Sequence, residues 1–334
     1  MPFVSIIVPC YNEELTIRLL LDAIYSQTFP RSSMEVVIAD GMSADRTRAR
    51  VAAFQQEHPD LSVRLVDNPQ RVIPAALNRA IQAARGEYIV RLDAHSMPRP
   101  DYVERCIAAL RAGRGDNVGG IWEIQPGGSG WLSRGIASAA AHPLGVGDAH
   151  YRHAERAQAV DTVPFGAYHR SLVERIGLYN ESLLTNEDYE FNARVRKSGG
   201  VVWLDPAIRS AYFARPHLAA LFRQYGRYGF WKARMLRRNP STLRWRQALP
   251  PLFVLSLLAL ILFSIWIPVF RWLLAAEVLI YLVVLLVAGL QTAINRKDFM
   301  MMLSVPLAIA VMHLAWGGAF LWSLVFGREL NYAS

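Results

Sequence analysis

The chain is poor in cysteine, in glycine-rich phosphate loops and in charge. Its 334 residues include two cysteines, Cys10 and Cys106, far apart and in no metal or redox spacing. A disulfide framework is excluded, and a reducing compartment fits. No Gly-x-Gly-x-x-Gly follows the first strand-like run, and no Walker motif occurs. That argues against a dehydrogenase or an ATPase. Met1-Pro2-Phe3 leads directly into a strand-like stretch without a basic n-region or cleavage site, so the N-terminal domain is expected to stay in the cytosol. Internal repeats and coiled-coil heptads are also lacking.

Charged residues make up 19% of the chain against 53% hydrophobic, too apolar for a purely soluble protein. The net charge of +9 is local: Phe213 to Pro250 holds nine Lys and Arg and no acid, and the other 27 bases equal the 27 acids. Such a collar beside a long apolar run is expected on the cytosolic side of a membrane. Nucleic acid is the weaker partner.

Three apolar runs close the chain, Ala248 to Phe270, Trp272 to Leu290 and Phe299 to Phe326. The first two cover 43 residues, or roughly 65 Å of helix, about twice a hydrocarbon core. They read as two spans turning near Pro268 and Arg271. With the collar inside, Arg296 and Lys297 of the next loop are inside too, and the C-terminus faces outward. Glu277 and His313 lie within spans, Glu277 near enough to an end to snorkel.

Upstream, strand and helix signals alternate. Val4 to Pro9, Met34 to Asp40, Val63 to Val66 and Tyr88 to Leu92 read as strands. Helices are expected from Asn12 to about Gln27, from Ser43 to about His58, over Pro74 to Ala84 and over about Pro100 to Ala112. This order implies right-handed parallel crossovers and a doubly wound sheet. From Val118 the alternation loosens, and Ala137 to Tyr151 reads as a mobile substrate-covering loop. Its histidines, His142 and His150, and nearby His153 are expected to pack or solvate rather than to hold a metal. Glu187 to Gly199 reads as a helix with acids first and bases last, and Val201 to Leu204 as a last short strand.

The run Tyr88 to Leu92 stops at Asp93, and His95 follows two residues later. A carboxylate and an imidazole just past a buried strand can share the carboxyl edge of a parallel sheet, where such sheets bind ligands. Their donors suit a divalent cation on phosphates. By itself the segment also fits an aspartate that merely ends a strand.

The neighbouring motifs decide for a ligand. Pro9-Cys-Tyr-Asn-Glu-Glu14, Asp40-Gly-Met-Ser-Ala-Asp-Arg-Thr47, Leu92-Asp-Ala-His95 and Asn186-Glu-Asp188 occur in that order. Over about Val4 to Tyr228 the chain resembles the family 2 glycosyltransferases of the GT-A fold. The Asp-Ala-His variant and the three C-terminal runs look most like the succinoglycan-biosynthesis type of exopolysaccharide glucosyltransferase. The resemblance implies a Rossmann-like, mostly parallel sheet with helices on both faces, followed by three transmembrane helices. It implies that Pro9, Tyr11 and Glu13 line the nucleotide pocket, that Asp40 bonds uracil, and that Asn68 and Arg71 lie near the nucleotide. Asp93 and His95 take the Asp-x-Asp site, which holds Mg²⁺ or Mn²⁺ on the sugar diphosphate. Asp188 stands for the catalytic base with Glu187 beside it. Gln224-Tyr-Gly-Arg227-Tyr228 resembles the Gln-x-x-Arg-Trp motif that meets the donor.

Two departures have consequences. His95 replaces an aspartate, which lowers the site's negative charge and favours Mn²⁺. Tyrosine in place of tryptophan, with only three spans, puts processive polymerisation in doubt.

The expected layout is a cytosolic GT-A domain over 1–212, a basic interfacial segment over 213–247, three transmembrane helices over 248–326 and a tail over 327–334. The expected activity is a multi-pass, inner-membrane, inverting, metal-dependent hexosyltransferase. It would move one hexose, glucose by the resemblance, from a UDP-sugar to a polyprenyl-linked saccharide, in contact with membrane lipid. The alternatives are a polyprenyl-phosphate sugar synthase and a non-catalytic membrane assembly subunit.

Overall fold

The structure, a computed structural model, describes residues 3–147, 149–183, 185–238 and 245–326. Arg244 of the basic collar, the Arg238 side chain and the tail 327–334 lie outside the described residues. By internal contacts the chain divides into two compact units, Met1–Glu123 with His150–Tyr212, and Ile124–Ala149 with Phe213–Ser334.

In the first unit, β1 (Val4–Cys10) and β2 (Met34–Asp40) are buried along their whole length, which their β-branched composition suits. Between them α1 (Ile17–Tyr25) buries Ile17, Leu20, Leu21 and Ile24 at helical spacing. Truncating one of these leucines to alanine would cost about 2–5 kcal/mol. Next come α2 (Thr47–Glu57), β3 (Ser62–Asp67), α3 (Ile73–Ala83) and β4 (Tyr88–Arg91). Strands β3, β2, β1 and β4 are neighbours in that order and parallel, so their carboxyl ends share one edge.

Helices α1 and α2 begin later than the capping signals predict, at Ile17 and Thr47. The two loops before them are sewn together instead. Asn12 has a φ of 53°, its Oδ1 accepts from the Ala44 amide at 2.9 Å, and its amide donates to Ser43 Oγ at 2.8 Å. The Glu13 amide donates to Thr47 Oγ1 at 2.8 Å and the Glu14 amide to Asp45 Oδ2 at 3.1 Å. Side chains that would cap helices are used to join loops.

Beyond β4 the sheet is mixed. Short β5 (Met97–Pro98), α4 (Tyr102–Arg111) and β6 (Asn117–Gln125) follow. After the inserted stretch come β7 (Gln158–Ala159), β8 (Ala167–His169) and β9 (Val202–Phe213). Strand β8 lies antiparallel between β4 and β6, and β9 pairs antiparallel with β5 and β7. The short strand expected at Val201 to Leu204 is thus a 12-residue strand, and β6 and β8 carry no alternation strong enough to read in advance.

The second unit takes in residues 124–149, which the sequence pattern places within the expected catalytic domain over 1–212. The expected mobile loop is largely helical here: α5 (Trp131–Ala141) and α6 (Pro143–Val146). Small residues are there for packing, since Ala137 and Ala139 share a core with Ala308, Ile309 and Met312. With α7 (Ser171–Ile176) and α8 (Glu187–Lys197) belonging to the first unit, the second continues with α9 (Leu218–Arg238), α10 (Trp245–Ser264), α11 (Pro268–Arg296) and α12 (Met301–Phe326). The last three are each long and apolar enough to cross a membrane. Helix α9 packs so tightly on α12 that a Cβ on Gly229 would stand 2.3 Å from the Trp316 carbonyl oxygen. Glu277 does not point away from the bundle but accepts from Ser256 Oγ at 2.5 Å. His313 has Tyr281 Oη at 3.0 Å from Nδ1 and the Leu144 carbonyl at 2.9 Å from Nε2.

Candidate active site

The carboxyl edge of the parallel strands gathers most of the polar residues singled out in the sequence. Pro9 is buried at the end of β1, and Tyr11 beyond it is 45% exposed. Gly41 makes room for that ring, because a Cβ there would lie 3.0 Å from Tyr11 Cδ2.

Asp40, at the end of β2, is fully buried. It accepts from the Ser43 amide at 3.0 Å, from Ser43 Oγ at 2.5 Å and from Arg48 Nε at 2.6 Å. Arg48 Nη2 also donates to Asp67 Oδ1 at 2.6 Å. Both oxygens of Asp40 thus organise the loop that follows it. Asn68 is 1% exposed, its amide donates to the Asp40 carbonyl at 2.7 Å, and its Oδ1 is buried with no partner among the described residues. Arg71 is exposed, with a φ of 57°.

Asp93 follows β4, and a turn holds it: the Ser96 amide and Oγ donate to its carbonyl at 2.9 and 2.7 Å. His95 is exposed, with Nδ1 3.1 Å from Glu13 Oε1. Among the described residues no three His, Cys, Asp or Glu side chains cluster as a metal cage. Asp93 and His95 still fit a divalent cation, since Mg²⁺ and Mn²⁺ on a nucleotide need only one or two protein donors beside the phosphates.

Glu187 and Asp188 open α8 after Asn186, which has a φ of 66°. Glu187 is buried, Asp188 half-buried, and Asp188 Oδ1 accepts from the Tyr189 amide at 2.7 Å. Burial pushes the Glu187 carboxyl up to about 7, against the pull of Arg91 and with a further push from Asp188. Burial raises Asp188 as well, again with Arg91 opposing.

Arg91 is a site residue that the sequence pattern does not single out. It lies inside an otherwise apolar strand, yet it is 4% exposed and touches the carboxylates of Glu187 and Asp93. Its Nη2 is 2.9 Å from Glu187 Oε1, and its Nε donates to Asp93 Oδ1 at 3.2 Å. The signal was available: residues two apart on a strand face the same side, so an arginine two before Asp93 shares its surroundings.

Gln224 and Arg227 belong to the other unit, on α9. Gln224 is buried and its Nε2 donates to Tyr228 Oη at 3.1 Å, while Arg227 is exposed.

The family model described as Glycosyl transferase family 2 matches residues 5–177. The chain is a family 2 glycosyltransferase. It is 31% identical over 321 residues to the succinoglycan biosynthesis protein ExoA of Rhizobium meliloti (strain 1021), covering 94% of this chain and 93% of that one. It is 25% identical over 336 residues to a Methanococcus voltae enzyme, dolichyl N-acetyl-alpha-D-glucosaminyl phosphate 3-beta-D-2,3-diacetamido-2,3-dideoxy-beta-D-glucuronosyltransferase, covering 98% and 99%. Among solved structures, mannosyltransferase PcManGT from Pyrobaculum calidifontis, in complex with GDP-Man and Mn²⁺, superposes with a TM-score of 0.62 at 24% identity, covering 94% of this chain and 87% of that one. Staphylococcus aureus TarS 1–349 with UDP-GlcNAc does so with a TM-score of 0.51 at 15% identity, covering 95% and 90%. These two likenesses show the GT-A type of fold for this family 2 glycosyltransferase.

Proposed function

We propose that the chain transfers a single hexose from a UDP-sugar to a lipid-linked saccharide, with inversion, in the synthesis of a cell-surface polysaccharide. The observation that carries this is the acid pair Glu187-Asp188 at the start of α8, tied through Arg91 to Asp93. Asp188 takes the proton of the acceptor hydroxyl. The acceptor oxygen then bonds to the sugar anomeric carbon as the bond to the diphosphate oxygen breaks and UDP leaves. One displacement inverts the centre, so an α-linked donor gives a β-linked product. Asp93 and His95 are the residues that would hold a divalent cation, and bound there it would offset the charge on the departing diphosphate. Tyr11 and Glu13 lie at the same sheet edge and line the nucleotide side. Arg227 and Gln224 are assigned to the donor by their motif alone.

The lipid-linked acceptor has two supports. Helices α10 to α12 are long enough for membrane spans, and the names of both long relatives refer to polysaccharide or dolichyl-linked glycan synthesis. The bases between Phe213 and Pro250 support a catalytic domain on the cytosolic side of the inner membrane.

The test is UDP release from UDP-sugars with and without extracted polyprenyl lipids, in wild type and Asp188→Asn. Lipid-stimulated release that Asp188→Asn abolishes, with donor binding kept within a few-fold, is the expected result. Unimpaired release by Asp188→Asn would remove the base. Release on bare polyprenyl phosphate would mark a polyprenyl-phosphate sugar synthase instead, and none with any lipid would mark a non-catalytic subunit.

A further inference from the structure

Arg91 sits in the core with carboxylates on two sides. The Glu187 contact joins residues 96 apart in the chain, from β4 to the start of α8. The guanidinium stands 5.9 Å from the Tyr179 ring centroid, and Tyr179 is itself stacked on Phe191 at 4.5 Å. No described residue accepts from its Nη1. As a stability device this is a poor arrangement, because apolar side chains of similar volume pack a core at least as well as a buried ion pair. What an arginine adds is shape. Its planar fork makes two bonds at once in fixed directions, which a lysine ammonium cannot do.

We propose that Arg91 is a positioning residue for sugar transfer. It fixes the acid pair on the acceptor side and Asp93 on the donor side in one register, with Nη2 on Glu187 and the Nε–Nη2 edge of the same rigid group on Asp93. This rests on the proposed role of Asp188 as base. The acceptor oxygen must approach the anomeric carbon within a narrow range of distance and angle, and a misplacement of about 1 Å can cost on the order of 100-fold in rate. Arg91 acts through Glu187 and Asp93 rather than on the substrate.

The experiment uses the full chain in detergent as wild type, Arg91→Lys, Arg91→Met, Glu187→Gln and Arg91→Met with Glu187→Gln. Four quantities are read: kcat, the KM for the UDP-sugar, UDP affinity by calorimetry without added metal, and the melting temperature. Arg91→Lys keeps the charge and loses the fork. It is expected to melt near wild type, to hold donor KM and metal-free UDP affinity within about threefold, and to lose kcat by about 100-fold. Arg91→Met strands the Glu187 carboxylate in the core and melts early. Adding Glu187→Gln restores the melting temperature but leaves kcat well below that of Glu187→Gln alone.

A wild-type kcat in Arg91→Lys overturns the proposal. So does a double variant whose kcat returns to the Glu187→Gln level along with its stability, since Arg91 would then serve the fold alone. A loss of UDP affinity matching the loss of kcat overturns it too, by putting Arg91 on the donor. If Arg91→Lys melts early, the double variant decides. A wild-type chain that turns over no UDP-sugar would overturn the proposed function and this inference with it. An active wild type beside an equally active Arg91→Lys overturns this inference alone.

Discussion

Glu13 Oε1 stands 3.1 Å from His95 Nδ1. The imidazole expected to join Asp93 at a cation therefore has a carboxylate fixing one of its ring nitrogens. Carboxylate–histidine pairs of this kind set the tautomer and raise the basicity of the other nitrogen. Glu13 is itself held, by Thr16 Oγ1 on its Oε2 and by Thr47 at its amide.

Glu13→Gln should raise the Mn²⁺ concentration needed for half-maximal turnover by about 10–100-fold. His95→Asp should keep turnover and move the preference toward Mg²⁺, because an oxygen donor replaces nitrogen. Titrating each ion back into chelator-treated protein checks both. Undiminished turnover in excess chelator would sink the cation altogether.

The acid pair sets a pH dependence. Burial lifts Glu187 from 4.5 to about 7, and Asp188 is lifted with it. Two adjacent carboxylates titrate as a pair, and transfer needs the base ionised. The rate should therefore rise with pH as the pair ionises and level off above that. Stability runs the other way. The folded chain holds its proton longer than the unfolded chain, so stability falls as pH rises from about 4.5 to about 7. Rate and melting curves from pH 4 to 9 check both slopes, and a rate that falls as the carboxyls ionise would contradict the assignment.

How much of this was legible in the sequence depends on the kind of interaction. The parallel strands were readable because β1 and β2 are continuous β-branched runs bounded by polar turns. Strand β8 has only three residues, and its pairing with β4 is set by tertiary contact. Ser43 and Asn12 read as helix caps, and both spend their side chains on a neighbouring loop, which local propensity cannot foresee. Asp93, His95, Glu187 and Asp188 stood out as polar residues at element ends. Arg91 was hidden because a buried cation inside a strand makes sense only once the carboxylate 96 residues away is beside it.

Asp40 and Arg48 yield a test of the nucleotide-side loop. The resemblance gives Asp40 to uracil, and here its oxygens also accept from Ser43 and Arg48. Arg48→Met should lower the melting temperature and speed amide exchange across residues 41–47, because a buried carboxylate loses its cation. Arg48→Met and Asp40→Asn together should be less destabilising than their sum, with a coupling on the order of 1 kcal/mol. Full additivity would mean that the pair is incidental.

The basic segment separates into three roles that one series of variants can tell apart. Arg237 Nη2 donates to the carbonyls of Ser323 and Leu324, at 2.9 and 2.6 Å, near the end of α12. Basic side chains near a helix C-terminus can bond its last carbonyls in this way. Arg237→Ala should lower the melting temperature equally at low and high salt and in any lipid. Arg234 lies over the rings of Phe230 and Trp231, at 4.9 and 5.1 Å from their centroids, and Arg223 is exposed beside Phe222, which is 53% exposed. That mixture of cations and large apolar side chains suits a headgroup layer. Arg223→Ala with Arg234→Ala should reduce turnover in nanodiscs of anionic lipid, lose that effect at high salt, and show none in zwitterionic lipid. Arg227→Ala, the position matching the donor motif, should depress kcat with a soluble acceptor in detergent, where no lipid charge is present. If all of these substitutions gave one modest, salt-sensitive loss, Arg227 would be part of an ordinary basic anchor and the motif assignment would fall.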